Sequence, residues 1–232
     1  LREVKKLLPR EQLIYFGDSK NAPYGEKNTK EIRRLIFSAA EPLLCNVKAL
    51  VIACNTATAV AAASLRQRYP HIPIIGMEPA LLPALSVSKN PRILVLATAA
   101  TLREEKFALL RKKCEKNATV MALSAPGIVR LVEAGLADSP EMDAYLRTLL
   151  APLPAAPDAV VLGCTHFPFA RAALRRVLGN VPLFDGAAGT ARELRRRLSK
   201  ESSLAPQGTV GGVTLTASAP RSLPLFLRLY EK

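Results

Sequence analysis

Two stretches, Ala49–Tyr69 (ALVIACNTATAVAAASLRQRY) and Ala159–Gly179 (AVVLGCTHFPFARAALRRVLG), repeat one pattern. Each opens with a short apolar run, passes through a cysteine followed by Asn-Thr or Thr-His, and continues as an amphipathic helix. Val51, Ile52 and Ala53, like Val160, Val161 and Leu162, lack polar alternation. They read as central strands of a parallel sheet, covered on both faces. The same alternation recurs outward from both stretches. Strands are expected at Leu13–Phe16, Ala49–Ala53, Ile72–Gly76, Ile93–Ala97, Val120–Leu123, Ala159–Gly163, Val181–Phe184 and Val213–Thr216. Helices are expected near Thr29–Leu44, Ala57–Tyr69, Thr101–Glu115, Gly127–Ala134, Pro140–Leu150, Phe167–Leu178, Ala188–Leu198 and Ser222–Leu229. That order specifies an α/β protein of parallel units.

Glu78–Pro91 holds three prolines and no strand pattern, and reads as a connection between two lobes. The polar segment Ser199–Gly212 precedes a last strand and helix, and its glycines form a turn rather than a phosphate cradle. The chain starts inside an amphipathic pattern, Leu1, Val4, Leu7 and Leu8, with no capping residue ahead of it. A segment upstream is therefore expected.

At 232 residues, 49% hydrophobic and 22% charged, the chain can bury a substantial core. No apolar run approaches the roughly 20 residues of a membrane-spanning helix, and the charged start LREVKKLLPR is no secretory signal. Four cysteines without a CxxC pair argue against a disulfide framework and for a reducing cytoplasm. The net charge of +14 raises nucleic acid as a partner. The basic residues are spread over several helices, however, with few aromatics among them, and read in preference as solvated faces. Attraction of an anionic substrate is a compatible use of the charge.

In an open parallel sheet, ligands bind beyond the carboxyl ends of the strands. Four polar clusters fall there: Gly17-Asp18-Ser19 leading into Asn21–Gly25, Cys54-Asn55-Thr56, Thr98 with Thr101, and Cys164-Thr165-His166. If two lobes face each other, these clusters line one cleft with a cysteine on either wall. Each cysteine opens a helix, where the positive end of the helix dipole favours a thiolate. Hydroxyls, an amide and helix N-termini would suit a small carboxylate ligand. Cys45 and Cys114 read as small buried hydrophobes. His71, among prolines, is expected to be exposed and without a role. Two cysteines and one histidine at this spacing make a poor zinc site, so no metal is expected.

The segments YFGDSKNAPYGEKN (15–28), VIACNTATAVAAASLR (51–66), IIGMEPAL (74–81), LATAATLREEKF (96–107), PGIVRLVEAG (126–135) and VLGCTHFPFARAALRRVLG (161–179) resemble, in that order, the signature segments of glutamate racemases. These are cofactor-independent members of the aspartate/glutamate racemase superfamily. The resemblance runs from Leu1 to about Leu198. It implies two pseudosymmetric lobes, each a mainly parallel sheet flanked by helices, with the active site between them. Residues 1–80 plus 187–232 would form the first lobe and 81–186 the second.

It also implies interconversion of L- and D-glutamate, the D form feeding peptidoglycan synthesis, by a homodimer without a cofactor. Cys54 would deprotonate D-glutamate and Cys164 L-glutamate, with His166 and Glu133 assisting. Tyr24, Gly25, Asn55, Thr56 and Thr165 would contact substrate, with Thr98 and Thr101 as further candidates. The chemistry fits: inversion at a carbon needs a base on one face and an acid on the other, and thiols serve as either near neutrality.

Thr58 and Phe167 depart from the usual serine and tyrosine. The family's opening strand and its Asp-Ser-Gly loop would precede Leu1, and Asp18 does not replace that aspartate. These residues alone are therefore expected to be weakly active, less stable and short of one strand in the first sheet. The remaining alternatives are a related aspartate or hydantoin racemase, a maleate isomerase-like enzyme, a basic nucleic-acid-associated protein and a thiol-redox protein.

Overall fold

The computed structural model describes residues 1–231. The chain begins with α1 (Arg2–Leu7), β1 (Leu13–Gly17), α2 (Thr29–Leu44), β2 (Leu50–Ile52), α3 (Asn55–Arg68) and β3 (Ile74–Gly76). It continues through α4 (Leu81–Ala84), β4 (Arg92–Ala97), α5 (Ala99–Arg103), α6 (Glu105–Cys114), β5 (Thr119–Ser124), α7 (Pro126–Glu133) and α8 (Pro140–Leu150). Then come β6 (Ala159–Gly163), α9 (Arg171–Leu178), β7 (Leu183–Asp185), α10 (Ala187–Lys200), β8 (Val213–Ala217) and α11 (Leu223–Glu231). All strand pairs are parallel.

The middle of the chain builds one four-stranded sheet, ordered β5-β4-β6-β7. All five residues of β6 are buried, as its uninterrupted apolar run requires. Register sets Ala97 of β4 opposite Gly163 of β6. Thr98 and Cys164 therefore leave the sheet at the same edge. Phe167, Leu162, Ile128, Met142 and Leu146 fill one face of this sheet, and each is almost wholly buried. Burial of a side chain of that size is worth roughly 1.5–3 kcal/mol.

The remaining strands form two separate pairs, β1–β8 and β2–β3. Helices bind them together. Val4 and Leu8 pack with Ile75 of β3 and with Ala191, Leu194 and Leu198 of α10, while Leu13 and Val51 lie against the edge of that cluster. β2 therefore shows one unpaired edge where its apolar run suggested a strand covered on both sides, in the sheet expected to be short of one strand. It pairs only with β3 among the described residues, Val51 is half-buried and Ala53 is exposed.

Local chemistry explains the boundaries. Asn28 caps α2 by accepting the Glu31 N–H at 2.9 Å, and Ser139 caps α8 ahead of Pro140. The helix expected over Thr101–Glu115 is two helices, because Thr98 starts α5 early and Glu104 adopts extended backbone between α5 and α6. Pro168 opens a tight 3-10 turn, Phe167–Ala170, before α9. The proline-rich link contains the short α4, whose Leu81 and Ala84 are fully buried. No helix among the described residues is long and apolar enough to cross a membrane.

Candidate active site

Cys54 is the residue before α3, and its Sγ accepts the Ala57 N–H at 3.4 Å. The thiol is thus the helix cap, the placement from which a stabilised thiolate was expected. Burial wins instead. Enclosure by protein, together with the nearness of Cys164, pushes Cys54 up to about 11, although hydrogen bonds from Ala57 and Thr56 pull the other way. Near neutral pH Cys54 is a thiol.

Cys164, 9% exposed, directly follows β6. Its Sγ lies 3.8 Å from Nδ1 of His166, whose Nε2 is 2.6 Å from Oε1 of Glu133. Glu133 is the last residue of α7, so helix and turn converge to form a thiol–imidazole–carboxylate line. Burial opposes the imidazolium, but hydrogen bonds and charge from Cys164 and Glu133 outweigh it and raise His166 to about 10. The ring is therefore protonated at neutral pH and hydrogen-bonded on both sides.

Three buried hydroxyls sit beside Cys54. Thr56 Oγ1 is 2.9 Å from Thr98 Oγ1 and 3.0 Å from Thr101 Oγ1, and the last two are 3.0 Å apart. This triangle ties the start of α3 to α5, and Thr98 also accepts the Thr101 N–H. Asn55 is 5% exposed, and its Oδ1 is a buried acceptor with no partner in the structure. An orphan acceptor beside a thiol suits a ligand that brings a donor, such as an ammonium group.

The Tyr24–Glu26 turn approaches the triangle from the other side. A Cβ on Gly25 would lie 2.5 Å from Cβ of Thr98, so only glycine permits this contact. Tyr24 donates its hydroxyl to Asp18 Oδ2 at 2.6 Å, and Asn21 donates to both oxygens of the same carboxylate. Burial first, then the Asp18 hydrogen bond, hold Tyr24 well above the usual tyrosine value. Asp18 thus positions the turn. Thr165 is half-buried next to Cys164. A cavity of about 280 Å³ adjoins the turn, lined by Pro23, Gly25, Glu26, Thr98, Ala99, Arg103, Ser124, Pro126 and Val129.

The residues singled out from sequence therefore gather in one region, and Thr98 and Thr101 belong to it through the hydroxyl triangle. Tyr15 was missed. Its phenol is raised first by burial, then by Glu133 and Cys54, which puts it within electrostatic reach of both halves of the site. Its position inside the apolar run of β1 gave no sign of this. Cys45 is a correction: it is exposed at the end of α2, where the helix terminates before it can be covered. Cys114 is buried, and His71 is exposed. No group of three or more metal-ligating side chains occurs among the described residues.

Comparison with known proteins identifies the arrangement. The family described as Asp/Glu/Hydantoin racemase matches residues 1–194. The glutamate racemase of Clostridium novyi (strain NT) is 47% identical over 218 residues, covering 93% of this chain and 84% of that protein. The crystal structure of a glutamate racemase isoform from Bacillus anthracis superposes with a TM-score of 0.85 at 30% identity, covering 99% of this chain and 86% of that one. The Escherichia coli glutamate racemase, crystallised with L-glutamate and the activator UDP-MurNAc-ala, gives 0.84 at 29% identity, covering 99% and 89%.

Proposed function

The chain belongs to the Asp/Glu/hydantoin racemase family, in its glutamate racemase branch, and on that premise we propose that the cleft interconverts L- and D-glutamate with Cys54 and Cys164 as its proton-transfer pair. The enzyme is an isomerase. The observation that supports the mechanism is geometric: Cys164 stands 3.8 Å from His166, itself 2.6 Å from Glu133, while Cys54 caps α3 and is kept protonated by burial. For L-glutamate, Cys164 removes the α-proton, the Cys54 thiol delivers one to the other face, and D-glutamate leaves. The reverse direction begins at Cys54 and ends with protonation by Cys164. His166 exchanges protons with Cys164, and Glu133 holds the imidazolium in place. Asn55, Thr56, Thr165, Tyr24 and Gly25 bind the substrate's charged groups, with Thr98 and Thr101 closing the pocket floor. No cofactor enters any step.

We assign residues 1–80 plus 187–232 to one lobe and 81–186 to the other, and place the enzyme as a cytoplasmic homodimer supplying D-glutamate for peptidoglycan. Sedimentation reads the oligomeric state directly. The mechanism is tested by α-hydrogen exchange in deuterated water. Cys54→Ser and Cys164→Ser should each lose roughly 10²–10⁴-fold in racemisation. Cys54→Ser should still exchange the α-hydrogen of L-glutamate and not of D-glutamate, and Cys164→Ser the converse. Equal, small effects of both substitutions would exclude two thiol bases.

A further inference from the structure

Basic residues that look scattered in the sequence meet on one surface. α1 and α10, about 190 residues apart in the chain, are packed side by side through Val4, Leu8, Ala191, Leu194 and Leu198. Their apolar faces are spent on each other and on the strands below, so their polar faces form a single ridge. Residues 2–10 and 187–200 hold nine cationic side chains against two carboxylates, Glu3 and Glu193. That net +7 is half of the whole molecule's +14, on about a tenth of its residues. Glu193 is already engaged by Arg196 and Arg197. Lys6, Arg10, Arg192, Arg195 and Lys200 are exposed and have no carboxylate partner among the described residues.

We propose that this ridge binds the phosphate backbone of duplex nucleic acid, independently of base sequence. Three features select that partner. First, the ridge is arginine-rich, and the planar guanidinium grips phosphate oxygens two at a time. Second, the large exposed hydrophobics lie elsewhere, at Ile14, Leu82, Leu109, Leu136, Val210 and Leu227. A helix that enters a bilayer surface needs an exposed apolar face, which both helices here have buried. Third, neither helix carries an aromatic residue, whereas single-strand binding depends on aromatic platforms for the bases. The fourteen residues of α10 span about 21 Å, against one duplex charge per roughly 1.7 Å, so the ridge meets several phosphates at once.

The test is a fluorescence-anisotropy titration of a labelled, mixed-sequence duplex of about 20 base pairs, repeated between about 50 and 200 mM salt. Neutralising four or five phosphates gives a log–log salt slope of about −4, a loss of roughly 10²-fold across that range. Arg192→Gln/Arg195→Gln and, separately, Lys6→Gln/Arg10→Gln should each weaken binding at least about tenfold and flatten the slope by about 2. Lys112→Gln/Lys113→Gln on α6 removes the same charge and should change affinity by less than about twofold. Racemase turnover unchanged in both ridge variants would show that they are folded. Absence of duplex binding at low salt overturns the proposal. So does equal weakening by the α6 variant, or retention by vesicles of anionic phospholipid in place of the duplex.

Discussion

Cys54 is subject to two opposed influences, and their balance sets the resting state of the enzyme. As cap of α3 it accepts an N–H, which favours sulfur anion, but burial beside a second sulfur favours the thiol and prevails, up to about 11. His166 balances the other way: burial lowers it, but the hydrogen bonds and charge of Cys164 and Glu133 outweigh that and raise it to about 10. The pair is thus loaded with protons at neutral pH, and the alkaline limb of the rate profile belongs to their loss. L- and D-glutamate have equal free energies, so kcat/KM must be the same in both directions at every pH; one enantiomer suffices to measure the profile. The limb should fall above about pH 10. Glu133→Gln removes the carboxylate that helps raise His166, so the limb should move to lower pH by about one unit or more. An unmoved limb would take Glu133 out of the proton path. Stability should follow the same group. The folded chain keeps a proton on His166 that the unfolded chain releases above about 6.5. That contribution is complete below pH 6.5 and is lost by about pH 10. His166→Asn should therefore flatten the fall in melting temperature across this window.

Between elements, the Thr56–Thr98–Thr101 triangle joins α3 to α5 and borders the thiol. Thr101→Val preserves shape and removes one vertex, while Thr56 and Thr98 keep each other. The expected cost is about 0.5–1.5 kcal/mol, or roughly 1–6 °C in melting temperature for a chain of this length. Gly25→Ala acts on the same junction from the opposite side. Its Cβ cannot coexist with Thr98, so the Tyr24 turn must withdraw, and kcat/KM should fall by roughly 10–10²-fold with the fold intact. Activity within about twofold of the parent would show that the turn does not help to form the pocket. Elements with their own punctuation were legible beforehand. α2 and α8 begin at Thr29 and Pro140, behind the caps Asn28 and Ser139, and both were placed to the residue. β2, whose apolar run reads as a covered strand, pairs only with β3 among the described residues, in a sheet expected to be short of one strand. α4 hid among prolines, since a helix of four residues shows no periodicity. Cys54, Cys164 and His166 were readable because they follow strand ends in a repeated local pattern, whereas Glu133, at the end of α7, was reached only through the family resemblance. Tyr15, whose phenol is raised by burial and further by the charges of Glu133 and Cys54, was not readable, because nothing in the apolar run of β1 marks it.

At the scale of the whole molecule, charge is what the linear sequence misrepresents most. Read along the chain, the cations alternate with apolar residues as any amphipathic helix would have them; folding brings α1 and α10 into contact and concentrates half the net charge there. Such a ridge repels itself. Arg192 and Arg195 have no carboxylate partner to offset their mutual repulsion among the described residues. The chain should therefore be stabilised by salt over the range in which the Debye length falls from about 30 Å at 0.01 M to about 8 Å at 0.15 M. Arg192→Gln/Arg195→Gln should melt above the parent at about 0.01 M salt, and the difference should shrink towards zero as screening proceeds. Lys112→Gln/Lys113→Gln, which relieves a sparser region, should show a smaller gain at low salt. Thermal melts of the three proteins at several salt concentrations decide the matter. Identical gains in the two variants would mean that net charge alone destabilises the fold, and that the close packing of α1 against α10 adds nothing to it.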